Sequence, residues 1–173
     1  RTKRLFYFTY FINIIGALFA MMMPNYADNA NLISAEMFRF WYNHWIAFFM
    51  PLLAVALKEF KRPGLKEFCY SLIAFAAYFI LALFMNVYFT SIGHHTDYFF
   101  LNAADTVADK LGDLGNKIFN INWIINVNGL QWEFHPLYQI LFFLVYVVLE
   151  LVEWFIYGEF FRIAVQHYDL HLR

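Results

Sequence analysis

His44 is the side chain of this sequence best suited to acid–base work near neutral pH. It sits inside F-R-F-W-Y-N-H-W-I-A-F-F-M-P-L-L, an otherwise apolar run. A polar group within a membrane span is costly, so Asn43 and His44 mark a candidate site. The plainer reading is a histidine near the headgroup boundary, held between Trp41 and Trp45 in an aromatic belt. Two other groupings compete with it. His94, His95, Asp97 and His135 are of the types that zinc favours. Adjacent histidines project differently, however, and no H-x-E or H-x-x-x-H spacing sets two imidazoles on one face, so no metal is expected. Glu150 and Glu153 share a helix face, with Glu159 further on, and deep carboxylates could pass protons or cations. Pairing with Arg162 or Lys58 near a membrane boundary is the simpler account of them.

These groups must be positioned by membrane-embedded helices. Hydrophobic residues make up 62% of the chain and charged ones 14%, against a globular norm of about 45–50% and about 25%. A soluble domain of this length could not hide that much apolar surface. Four spans of the required ~20 residues can be drawn: Leu5–Met23, Phe38–Leu57, Phe68–Thr90 and Leu137–Phe160. The expected fold is therefore all-α, a polytopic transmembrane bundle in one domain. Pro51 should kink the second span. If the spans alternate, Arg1, Lys3, Arg4, Lys58, Lys61, Arg62, Lys66, Arg162 and Arg173 share one side, against Arg39, Lys110 and Lys117 on the other. The basic side is expected in the cytoplasm of a multi-pass cell-membrane protein.

The segment Ser91–Pro136 is long for a connection, and such loops are functional or disordered. Apolar residues at Ala104, Val107, Ala108 and Leu111 suit a short amphipathic helix. Trp123, Ile124, Ile125 and Trp132 could lie in the interface or fold over the bundle. The lone Cys69 excludes a disulfide framework, lies within one helical turn of Lys66, and reads as an apolar filler. No nucleophile elbow or phosphate loop is present, no motif calls for a cofactor, and a net charge of −1 argues against nucleic acid as a partner. Membrane lipids are the expected partners, with other membrane or soluble subunits a further option.

The order of motifs resembles that of the YwaF-like bacterial membrane proteins, related to the transmembrane protein 164 family. Gly16, Ala20 and Pro24 fit a G-x-x-x-A-x-x-x-P helix end. Phe38, His44 and Pro51-Leu52 fit F-x-x-x-x-x-H-x-x-x-x-x-x-P-L. Lys61-Arg62-Pro63 fits a basic x-R-P turn, and Thr96–Leu101 an N-Y-x-F-L-like end of a further span. The resemblance covers residues 11–102 and, more loosely, the last span; Asn102–Glu133 stands out as an insertion. It implies a fragment of a six- or seven-span bacterial protein. It also implies a phospholipid acyltransferase or lipid-ester hydrolase in which His44 is the catalytic base for a nucleophile upstream of Arg1. In that reading Trp41 and Trp45 would line the acyl-chain site, and Asn86 would contact substrate or orient His44. The competing class is a non-catalytic anchor or scaffold subunit of a larger membrane complex.

Overall fold

The apolar runs form helices almost where their composition places them. In a computed structural model, residues 3–22, 34–57, 59–102, 108 and 111–156 are described. Within them α1 spans Lys3–Met22, α2 Ala35–Ala56, α3 Leu65–Ser91, α4 Gly112–Phe119 and α5 Pro136–Glu153. Three stretches are long and apolar enough to cross a membrane: Arg4–Met22, Leu65–Ser91 and Pro136–Ile156. The second of the four expected spans forms as α2 but is not among these three. Its Glu36, Arg39, Asn43 and His44 dilute its apolarity.

The described chain is mostly helical, as expected, and departs from all-α in one hairpin. Within Ser91–Pro136 the strands β1 (Trp123–Val127) and β2 (Leu130–Phe134) pair antiparallel, with Val127 opposite Leu130. Asn128 and Gly129 connect them with φ of 51° and 80°, the left-handed geometry of a two-residue hairpin turn. The amphipathic helix expected from Ala104 falls almost wholly outside the described residues. The short helix that is described, α4, begins at Gly112.

By contacts the chain divides into one unit of Arg1–Phe75 with Val147–Arg173 and a second of Ala76–Tyr146. In the first, Tyr10, Phe11, Ile14 and Phe68 form a buried core against which Phe48, Leu52, Val55 and Trp154 pack. Apolar burial drives little association inside lipid, so close packing must do that work. Here aromatic pairs supply it. Phe11 of α1 meets Phe68 of α3 at 5.5 Å and 73°, and Phe68 meets Trp154 at 5.7 Å and 30°. Such pairs contribute about 0.5–1.5 kcal/mol each.

Local chemistry fixes the helix ends of this unit. The Ser34 hydroxyl accepts from the Met37 N–H at 3.2 Å, satisfying one orphan donor of α2. α2 continues through the buried Pro51. At α3, Glu67 reaches back to accept from the Gly64 N–H at 3.0 Å, one half of a capping box.

In the second unit, α3 closes on Gly93 (φ 87°). The Gly93 N–H donates to the Thr90 carbonyl and the His94 N–H to that of Phe89, a pattern that satisfies the last carbonyls. The chain then turns through Phe99 and Phe100, whose φ values of 59° and 58° are unfavourable for bulky residues. Neighbouring side chains hold that turn. Asn86 is fully buried; its Nδ2 donates to the Tyr98 carbonyl at 2.8 Å, and its Oδ1 accepts from the Tyr98 N–H at 2.8 Å. The Tyr138 hydroxyl donates to the Phe100 carbonyl at 2.9 Å.

Candidate functional site

His44 lies on the stripe of α2 that carries Met37, Phe48, Leu52 and Val55, at helical spacing along one face. Phe48, Leu52 and Val55 pack on the core of α1 and α3, so His44 extends that packed line. The residue is half-buried, and Asn43 beside it is exposed. Its Nδ1 lies 2.7 Å from the Phe40 carbonyl oxygen, and its ring rests 4.0 Å from that of Phe40. A carbonyl can only accept, so Nδ1 carries a proton, and in the neutral imidazole Nε2 then holds the lone pair. Fixing one ring nitrogen in this way sets both the tautomer and the direction of the other. The imidazole is oriented from within its own helix.

Aromatic groups surround that position. Trp41 meets Phe40 edge-on at 5.8 Å, and Trp45 stacks on Phe49 at 5.3 Å and 15°. Trp41 is half-buried and Trp45 exposed, so both present apolar faces along α2. Asn86 is placed otherwise: its amide is engaged on both sides by Tyr98 within the second unit, and it works as a clamp on the turn. Cys69 is exposed one turn into α3.

The histidines of the long connection are dispersed in role. His94 and His95 are exposed, and Asp97 accepts from the Asn102 N–H at 2.7 Å. His135 is buried; its Nδ1 donates to the Phe119 carbonyl at 2.7 Å, and its ring stacks on that of Phe119 at 3.8 Å and 20°. It thereby caps the carbonyl of Phe119, the last residue of α4. Among the described residues no group of three or more His, Cys, Asp and Glu stands close enough to hold a metal ion.

Glu150 is fully buried and Glu153 nearly so. Among the described residues neither carboxylate accepts a hydrogen bond. Glu159 and the expected partners Arg162 and Lys58 lie outside the described residues.

Long apolar helices carrying few, individually positioned polar groups define a multi-pass integral membrane protein. The chain belongs to the TMEM164 family, whose model matches residues 1–150. Comparison with curated proteins gives no match, and comparison with solved structures gives none.

Two features were not anticipated from sequence. The Asn86–Tyr98 clamp leaves no sequence signal, because its partner is main chain. The hairpin did leave one: Asn128-Gly129 between W-I-I-N-V and L-Q-W-E-F is a strong short-range turn signal.

Proposed function

We propose that this protein is a phospholipid acyltransferase or lipid-ester hydrolase in which His44 is the general base. The observation that carries the reading is the half-buried place of His44 on an aromatic stripe of α2 together with the 2.7 Å bond from Nδ1 to the Phe40 carbonyl of its own helix, which in the neutral ring aims the Nε2 lone pair. Nε2 takes the proton of a thiol or hydroxyl nucleophile, brought from elsewhere in the protein, as that group attacks a phospholipid ester carbonyl. The tetrahedral intermediate collapses, and the imidazolium returns the proton to the departing lyso-lipid oxygen, leaving an acyl-enzyme. A second lipid hydroxyl or water then attacks the acyl-enzyme with Nε2 as base, the bond to the enzyme nucleophile breaks, and the imidazolium returns the proton to that nucleophile; the choice of acceptor separates transfer from hydrolysis. Trp41 and Trp45 supply the apolar wall for the acyl chain. The reading places the protein in a cell membrane of YwaF-like, bacterial type, with α2 as a fourth span and the basic turns cytoplasmic.

The test is acyl turnover by the reconstituted protein on labelled phospholipid. His44→Ala is expected to lower it by roughly 10²–10⁴-fold, the usual contribution of a positioned acid–base group; unchanged turnover rejects the proposal. A second reading, an anchor or scaffold subunit, draws on the exposed apolar residues Trp123, Ile124 and Ile125 of β1. It gains if the wild-type protein shows no turnover and co-purifies stoichiometrically with a partner.

A further inference from the structure

The first unit holds a cavity of about 670 Å³ lined by the start of α1, the α2–α3 turn and the first two turns of α3. That volume lies in the range of small-molecule sites. Its charged lining is Arg4, Lys61, Arg62 and Lys66 against Glu59 and Glu67, an excess of cations. Of the two carboxylates, Glu67 is committed to the Gly64 N–H at 3.0 Å. The wall is fixed before any ligand arrives. The Tyr7 hydroxyl donates to the Lys61 carbonyl at 2.9 Å, Phe6 stacks on Phe60 at 3.7 Å and 9°, and Arg4 lies over the Tyr70 ring at 4.6 Å. The first amides of α3 have no acceptor within the helix and add positive potential at the same place.

We propose that this cavity binds the phosphate headgroup of an anionic phospholipid. Depth favours a lipid over a soluble anion. Arg4 and Leu65 are the first residues of two membrane-spanning stretches, so the cavity stands at headgroup level. Exposed Leu5 and Leu65 lie next to its lining residues Arg4, Gly64 and Lys66 in the chain, where glycerol and acyl carbons would continue from the phosphate. Basic pockets among transmembrane helices are suited to such headgroups. The site is separate from His44, which is twelve residues or roughly 18 Å before the end of α2 at 1.5 Å per residue. It does not depend on the acyl-transfer reading.

The test uses the purified chain in detergent, with native mass spectrometry counting bound lipid during titration with phosphatidic acid or phosphatidylcholine. The wild type is expected to bind phosphatidic acid at least about tenfold more tightly than phosphatidylcholine. Lys61→Gln with Lys66→Gln should reduce that affinity by about tenfold, since each basic residue contributes substantially near a phosphate. Lys117→Gln, outside the cavity, should leave it unchanged, and Lys61→Arg with Lys66→Arg should retain it, which separates charge from folding. Equal binding of the two lipids overturns the proposal, as does an unaltered preference in the double glutamine variant. Displacement of phosphatidic acid by equimolar inorganic phosphate or glycerol 3-phosphate overturns the lipid assignment.

Discussion

His44 of the first unit and His135 of the second are held by the same device and serve different ends. Each directs Nδ1 to a main-chain carbonyl at 2.7 Å, and each rests on the phenylalanine that owns that carbonyl. His135 is buried and joins α4 to the start of α5. His44 bonds one turn back along its own helix and is half-buried on an aromatic face. The hydrogen bond alone therefore identifies no function. What separates the two is that the His135 bond ties α5 to α4, whereas the His44 bond stays within one helix.

Several substitutions would break or sharpen this contrast. The largest effect is expected at His44, where alanine removes the proposed base and roughly 10²–10⁴-fold of turnover. The same change should alter thermal stability by less than about 1 kcal/mol, because only a local bond is lost and alanine favours helix. A large fall in melting temperature would make His44 a structural residue like His135. Next is Asn86→Ala, which strips the Tyr98 amide and carbonyl of their partners. A loss of about 2–4 kcal/mol is expected, with faster hydrogen exchange at residues 96–102; unchanged exchange there would refute the clamp.

His135→Ala should cost about 2–3 kcal/mol, since it leaves the Phe119 carbonyl uncapped and a gap beside its ring. The loss should appear in thermal unfolding with acyl turnover retained in the remaining folded protein. Smallest is Gly129→Val. It forces a β-branched residue into positive φ and should cost about 1–2 kcal/mol, seen as increased exchange in β1 and β2 and nowhere in α2.

The four long helices were legible because apolar length is a local property. Leu5–Met23 became Lys3–Met22, and Phe68–Thr90 became Leu65–Ser91. The differences arise at caps such as Ser34 and the Gly64–Glu67 pair, which extend helices into polar sequence. The hairpin was legible in Asn128-Gly129, but its mixed apolar and polar strands resemble an interfacial segment. The roles of Asn86 and His135 were not legible, because both act on main-chain atoms distant in sequence. His44 was visible as a candidate from its type and place. Its tautomer needed the Phe40 carbonyl.

The most direct measurement is carbethoxylation of the membrane-embedded protein with diethyl pyrocarbonate, following each imidazole by peptide mass spectrometry alongside acyl turnover. The proposed role of Nε2 as base predicts that His44 is modified ahead of the buried His135, and that turnover falls in step with that modification. Turnover that survives full modification of His44, or His135 reacting first, would contradict the account.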